Sequence, residues 1–186
     1  MMSIPLRRIA AALFVLVLTV PVAASATQVQ YLPVETLGSE SPVVVRGKVT
    51  GVRSYWNDAR TRILTETTVR VSDRYKGAPA GELKIVQMGG ELDGVRMTVA
   101  GSLEWVQGED VVLFLQDSLP GRYRVAGFSQ GKFGVQTDPD TGEEFVEQAG
   151  FSDVEMVGAA RGIAPARLSL DRLIARALPE IQLEEE

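Results

Sequence analysis

The chain has 186 residues, of which 19 are basic and 24 acidic, and it contains neither histidine nor cysteine. Without these two residue types it has no Ser-His-Asp triad, no Cys-His dyad and no zinc or copper site ligated by His or Cys. The net charge of -5 repels phosphate backbones, so we expect no nucleic-acid partner.

Residues 1–26 have the three parts of a secretory signal peptide. Arg7 and Arg8 precede an apolar run over 9–22, and Ala24-Ser25-Ala26 supplies a small-x-small cleavage site before Thr27. We therefore expect cleavage after Ala26, a periplasmic or extracellular location, and no stable membrane span afterwards. A membrane anchor is the alternative, although the run is shorter than the ~20 residues that a spanning helix needs.

The predicted mature chain starts with a short helix within residues 32–41, LPVETLGSES. Pro33 stands near its start and Gly38 is expected to end it, as these two residue types do at helix termini. Leu32 and Leu37 are then expected to cover one end of the sheet.

Two alternating segments, 43–53 and 63–75, predict a pair of β-strands in which apolar and polar residues fall on opposite faces. A Lys-Gly turn closes the second strand. On the outer face, we expect Arg46 and Lys48 to pair with Glu66 across the two strands.

The polar loop between these strands is the first candidate for a partner-binding surface. It carries one large aromatic and several charged or amide side chains, namely Trp56, Asn57, Asp58, Arg60 and Arg62. Aromatic and arginine residues dominate binding energy in protein interfaces. The alternative for Trp56 is that it folds back onto the core.

Further strands are predicted at 82–88, 95–99 and 111–115. The glycine-rich segment between the first two lacks the following helix of a phosphate-binding loop, so a bulge or sharp bend is the favoured interpretation. Val95, Met97 and Val99 are expected to form an inner face. The strand at 111–115 is apolar on both faces, which predicts a central, covered position.

The last strands lie in the segments RYRVAGF, GKFGVQT and EEFVEQA. The sequence DPDTG, residues 138–142, predicts a hairpin turn rather than a calcium loop, because it lacks the third spaced oxygen ligand and the terminal Glu. No metal or cofactor site is expected.

From Gly150 the pattern becomes irregular up to Arg167. Ser169 is then the predicted N-cap of a helix with apolar residues at helical spacing, and Pro179 stops it. We expect this helix to pack on the sheet or on an open barrel end; an interaction helix is the alternative. The apolar positions are Leu170, Leu173, Ile174 and Ala177.

The segments SPVVVRGKVTGV and TETTVRVSDRYKG resemble the opening of netrin-like and tissue-inhibitor-of-metalloproteinase domains, which are five-stranded OB-type barrels. Those inhibitors chelate zinc through an N-terminal cysteine, which this chain lacks, so the resemblance implies the fold alone. VVLFL, RYRVAGFSQGKF and the DPDTG hairpin are also similar to secreted bacterial proteins of unknown function.

These observations predict a mainly β protein, an OB-like antiparallel β-barrel or strongly curved sheet with short helices near the mature N-terminus and at the C-terminus. The expected organisation is one domain over 27–180 and an acidic tail at 181–186. The expected function is an exported, non-enzymatic binding or accessory module for a protein or envelope component.

Two other functions stay open at this point. One is a loop-based protease inhibitor. The other is a carboxylate-dependent hydrolase, which needs two acids close together in a cleft. The acids available for it are Glu66, Glu91, Asp93, Glu104, Glu109 and Asp110.

Overall fold

The computed structural model describes residues 27–150, 154–158 and 167–179. The predicted signal peptide and acidic tail lie outside the described residues. Within them, no helix combines the length and apolar character needed to cross a membrane.

The helices are α1 (Val34–Glu40), α2 (Leu170–Ala177) and a 3-10 turn at Ala126–Ser129. The strands are β1 (Thr27–Gln30), β2 (Val43–Trp56), β3 (Ile63–Lys76), β4 (Glu82–Met88), β5 (Gly90–Leu92), β6 (Val95–Met97), β7 (Asp110–Leu119), β8 (Arg122–Val125), β9 (Lys132–Thr137), β10 (Glu144–Gln148), β11 (Val154–Val157) and β12 (Arg167–Ser169).

Eight of these strands form one large sheet in the order β12-β10-β9-β7-β2-β3-β4-β8. Because β8 also pairs with β7, the strands β2, β3, β4, β8 and β7 follow one another around a partly closed ring. The prediction of a mainly β, curved sheet is confirmed. The sheet is mainly antiparallel, as expected, but it is mixed, because β4 and β8 are parallel. A circuit with an odd number of strands cannot alternate direction at every junction.

The two long predicted strands are confirmed as β2 and β3, which pair along nearly their whole length. Their pairing register shifts between Val44 and Val45 and at two further points, as at β-bulges. Val44 and Val45 are both fully buried because they point to opposite faces of β2 and each face is covered by a core.

One core fills the ring and the other lies outside it, beneath the helices. The ring interior contains Val45, Val49, Val69, Leu83, Ile85, Val111, Leu113 and Leu115. The outer core contains Leu37, Val44, Val112, Phe114, Phe133, Val146 and Leu173. Residues of β7 alternate between the two, which confirms the prediction of a central, fully covered strand at 111–115.

The helices α1 and α2 pack together over the outer core. The prediction that Gly38 ends α1 is wrong, because Gly38 lies within this helix. A Cβ at this position would come 1.8 Å from the carbonyl oxygen of Ala177. Its role is close helix approach rather than termination. The predicted cap of α2 is confirmed, since Ser169 Oγ accepts a hydrogen bond from Arg172 N at 3.3 Å.

Two local predictions are wrong. β6 pairs only with β5, in a hairpin outside the large sheet, and Val95 is 47% exposed, so Val95 and Met97 do not form an inner face. The segment after Gly150 is not wholly irregular, because β11 pairs in parallel with β1 and β12 pairs with β10. Such short peripheral strands have too few residues to show alternation.

The predicted ion pairs between Arg46 or Lys48 and Glu66 are absent. The hairpin register places Arg53, not Arg46, opposite Glu66. Arg46 instead lies next to β7 and bridges Asp110 at 2.7 Å and Glu144 at 2.6 Å. The hydrogen bonds that Arg46 donates to the carboxylates of Glu144 and Asp110 raise its pKa further above the ordinary value. The DPDTG hairpin joins β9 and β10 as predicted.

Candidate functional site

The ring of strands is weakest between β4 and β8. β4 pairs with β3 from Leu64 opposite Met88 to Arg70 opposite Glu82, but with β8 at a single position, Ile85 opposite Tyr123. Beyond that position the edges of the two strands separate. An opening between strand edges is a common place for a ligand, because it exposes backbone groups and core side chains together.

A cleft of about 350 Å³ occupies this opening, and we call it the split cleft. One wall is the end of β4, another is the loop 99–103, and the third is formed by β8 and the 3-10 turn. Apolar side chains dominate its lining, with Gln116 and Arg124 at the polar side. The apolar residues are Ile85, Val86, Met88, Val99, Leu103, Val125 and Phe128.

Phe128 is the most unusual residue of the split cleft. Its side chain is 51% exposed, and its backbone has φ 68°, in the left-handed region that bulky residues avoid. Such strain costs about 1 to 3 kcal/mol and is concentrated at functional sites. The structure thus holds an aromatic ring toward solvent in a conformation that the backbone does not favour.

Gln130 fixes the turn that carries Phe128. Its buried amide donates to the carbonyl oxygens of Gln30 at 2.8 Å and Gly127 at 3.0 Å, and its Oε1 accepts from Leu32 N at 2.8 Å. Its own carbonyl accepts from Gln148 Nε2 at 2.7 Å. Because these bonds reach distant parts of the chain, the position of the turn is set by the whole fold.

Side-chain hydrogen bonds also hold the opposite wall, the loop 99–103, against β4. Gln87 Nε2 donates to the carbonyl oxygen of Leu103 at 2.8 Å, and Trp105 Nε1 donates to Gln87 Oε1 at 3.1 Å. The buried amine of Lys132 donates to Glu104 O at 2.7 Å and lies 4.7 Å from the Trp105 ring centroid. Met88, which is 46% exposed, then projects between two fixed walls.

A group of cations lies on the outer face of the strands beside the split cleft. Three of them surround Glu66, which is only 2% exposed: Arg53 at 2.8 Å, Arg122 at 3.2 Å and Lys84 at 3.9 Å. Arg124 is exposed, lines the cleft, and has no side-chain hydrogen bond or ion pair with the described residues. We call Arg53, Lys84, Arg122 and Arg124 the basic cluster.

Two opposing effects act on the pKa of Glu66. Burial raises it, whereas Arg53, Lys84 and Arg122 lower it through charge and hydrogen bonds, and the net pKa is lowered from 4.5. The carboxylate is therefore ionised at neutral pH and cancels only one of the positive charges around it. The basic cluster keeps an excess of positive charge on a protein whose net charge is negative.

The sequence-predicted loop lies next to this site, and its residues have different roles. Asn57 shapes the loop, since its Oδ1 accepts from the backbone N–H groups of Thr61 and Arg62 at 2.8 and 2.9 Å. Trp56 is half-buried and donates to Asp93 Oδ2 at 3.3 Å, which joins the loop to the β5–β6 turn. Trp56 is thus a link between two loops.

The remaining predicted residues are all exposed, and one of them reaches the split cleft. Arg62 Nη1 lies 3.7 Å from the Met88 sulfur. Asp58 and Arg60 lie at the loop tip, where Arg60 adopts a positive φ of 53°. Of the five predicted residues, the structure therefore brings Arg62 to the cleft and leaves Asp58 and Arg60 away from it.

Sequence reasoning missed Phe128, Met88 and the basic cluster. The cluster had a partial signal, since Arg53, Lys84 and Arg122 occupy outer-face positions of alternating strands. Phe128 had none, because the left-handed turn that exposes it depends on contacts made by Gln130 across the fold.

Five of the six acids considered for hydrolysis are distributed over separate local interactions, while the Glu104 side chain is exposed and makes no hydrogen bond or ion pair with a described residue. Glu91 pairs with Arg96 at 2.6 Å, Glu109 with Lys132 at 2.8 Å, and Asp110 with Arg46 at 2.7 Å. The lowered pKa of Glu66 is opposite to that of a general acid, which must hold its proton near neutral pH. Among the described residues, no group of three or more Asp and Glu side chains is placed to hold a metal ion.

In comparisons with known proteins, no protein-family model matches the chain, and no curated protein matches it.

Proposed function

We propose that this protein is an exported, non-enzymatic binding module that holds an extended peptide segment of a partner protein in the split cleft. The observation that carries the proposal is the opening between β4 and β8, with exposed Met88 and Phe128 at its mouth. A peptide in extended conformation fits such a place because it can add backbone hydrogen bonds at a strand edge and insert alternate side chains into an apolar cleft.

We further propose that the ring is an OB-type barrel, as the resemblance to netrin-like domains implies. The succession of β2, β3, β4, β8 and β7 around the circuit supports this. OB-type barrels bind ligands on the face of their second and third strands and on the loops that join strands one to two and four to five. The corresponding elements here are β3, β4 and the loop at 57–62.

Export is supported by the pattern of residues 1–26 and is tested separately. N-terminal sequencing of the protein recovered from the cell envelope or medium is expected to begin at Thr27. A start within the apolar run, or an intact Met1, would contradict cleavage.

Binding is preferred to carboxylate-dependent hydrolysis because four of the candidate acids, Glu66, Glu91, Glu109 and Asp110, are each held by a cationic neighbour. The pKa of Glu66 is also lowered, whereas a general acid needs a raised pKa. Loop-based protease inhibition has less support than cleft binding, because Asn57 and Trp56 use their polar groups within the protein.

Selection of peptides from a random library displayed on phage tests the proposal. We expect the protein to enrich peptides with alternating apolar residues, and their affinity to fall at least about ten-fold in Met88→Ala and in Phe128→Gly, as for a central interface residue. Leu119→Ser is the matched control, since Leu119 is a similarly exposed apolar residue outside the cleft. Enrichment of no peptide, or equal binding by all variants, would overturn the proposed function.

A further inference from the structure

The basic cluster occupies the surface that a peptide leaving the split cleft must cross. Arg122 and Arg124 lie two residues apart on β8, so both point to the outer face. Lys84 and Val86 are also two residues apart, on β4, and share one face of that strand. Val86 and Arg124 line the cleft, while Lys84 and Arg122 contact Glu66 next to it. The apolar and cationic surfaces are therefore continuous.

The charge within this patch is not balanced. Glu66 is the only acidic side chain in ion-pair contact with the cluster among the described residues, and it lies beneath three of the cations. Lys84 is at the long distance of 3.9 Å. Glu66 neutralises one of the four positive charges, so the cluster keeps a net positive charge that attracts a further anion.

We propose that the basic cluster binds carboxylate groups of the peptide held in the split cleft, so that the partner segment is both acidic and apolar. This inference rests on the proposed function and assigns its ligand class. In an extended peptide, side chains on one face repeat about every 6.5 to 7 Å and alternate with those of the other face. Apolar residues can thus enter the cleft while intervening acidic residues face Arg122, Arg124 and Lys84.

A phosphate backbone fits the site less well than a peptide does. It offers regular negative charge without an apolar side chain for the space between Met88 and Phe128. The acidic character of the whole protein also weakens its attraction to a long polyanion.

Two synthetic peptides of eight residues, capped at both ends, test the inference by fluorescence anisotropy with the full-length mature protein. One alternates leucine with glutamate and the other alternates leucine with glutamine. We expect the glutamate peptide to bind at least ten-fold more tightly at 50 mM salt. The advantage is expected to disappear near 1 M salt, where screening acts over about 3 Å.

Single variants assign the effect to the cluster. Arg124→Gln and Lys84→Gln are each expected to weaken binding of the glutamate peptide about two- to five-fold and to leave the glutamine peptide unaffected. Arg172→Gln is the control, since Arg172 is an exposed arginine on α2. Glu66→Gln is expected to strengthen binding of the glutamate peptide, because it removes the negative charge that competes for the cations. A purely structural role of the cluster predicts no such gain.

The outcomes separate the two proposals. Equal affinity for both peptides, each lost in Phe128→Gly, would overturn the carboxylate assignment and leave cleft binding intact. Binding of the glutamate peptide that survives Phe128→Gly but is lost in Arg124→Gln would overturn cleft binding. Competition by a short oligonucleotide at equal charge concentration would overturn the peptide assignment in favour of a general anion surface, and absence of binding by both peptides would overturn both proposals.

Discussion

At the scale of single residues, Phe128 combines two unfavourable properties, an exposed aromatic ring and a left-handed backbone. Both properties support the proposal that Phe128 contacts a bound ligand. Its neighbour Gly127 also has a positive φ, of 61°, so the chain makes two successive left-handed steps there. Glycine adopts this conformation without the steric penalty that Phe128 bears.

Stability measurements on two variants distinguish the loss of the Phe128 aromatic side chain from the relief of its backbone strain. Phe128→Gly and Phe128→Ala both remove the aromatic contact, but only glycine relieves the left-handed strain. We expect the glycine variant to have a free energy of unfolding about 1 kcal/mol higher than the alanine variant, measured by urea denaturation. An alanine variant as stable as the glycine variant would show that no strain is stored at this position.

The lowered pKa of Glu66 predicts that the stability of the protein depends on pH. Its pKa in the folded protein is lowered from 4.5, so the ionised carboxylate stabilises the fold above that pH. This contribution is lost as the pH falls through the lowered pKa. We expect Glu66→Gln to be less stable than the wild type at pH 7 and the two to converge as the pH falls below 4.5 and through the lowered pKa, measured by thermal unfolding across this range. A constant difference at all pH values would contradict the assignment.

At the scale of elements, β7 supports both cores. Leu113 faces the ring interior and Phe114 faces the outer core, and both are fully buried. We expect Leu113→Ala and Phe114→Ala each to lower the free energy of unfolding by about 2 to 5 kcal/mol, because each leaves a cavity in a different core. Chemical denaturation measures both, and near-wild-type stability in either variant would contradict its placement.

The contact between α1 and α2 depends on the absence of a side chain at Gly38. A Cβ there would lie 1.8 Å from the Ala177 carbonyl oxygen, so Gly38→Ala must separate the helices. We expect it to lower the free energy of unfolding by about 1 to 3 kcal/mol, as overpacking does. Gly81→Ala is the control, because its nearest neighbour, the Arg74 Nη2 atom, lies 3.8 Å away. Equal stability of the two variants would contradict the role assigned to Gly38.

Elements with strong local patterns were predictable from the sequence, and those defined by distant contacts were not. The valine alternation located β2, and the doubly apolar run 111–115 located β7. No local pattern marks β11, which exists because β1 lies alongside it. The candidate site divides in the same way. Arg62 was predicted from loop composition, whereas Phe128 and Met88 line one cleft only because the ring opens beyond the pairing of Ile85 with Tyr123.

At the scale of the whole molecule, β2 and β7 each contribute side chains to both cores. Neither core can therefore unfold while the other keeps these two strands in place. We therefore expect a single cooperative unfolding transition for the described part of the chain. Tryptophan fluorescence and far-ultraviolet circular dichroism measure it independently, since Trp105 packs against the ring core. Coincident urea curves are the expected result, and two separate midpoints would indicate independent units.

Gly38 of α1 contacts Ala177 of α2, and Arg176 forms an ion pair with Glu35 at 2.8 Å. These contacts join two helices that lie near opposite ends of the described part of the chain. Since Glu35 and Arg176 are 141 residues apart in sequence, α1 is synthesised long before the helix that it packs against. Among the described elements, the layer formed by the two helices is therefore completed late, and the apolar face of α1 stays uncovered until α2 has been synthesised.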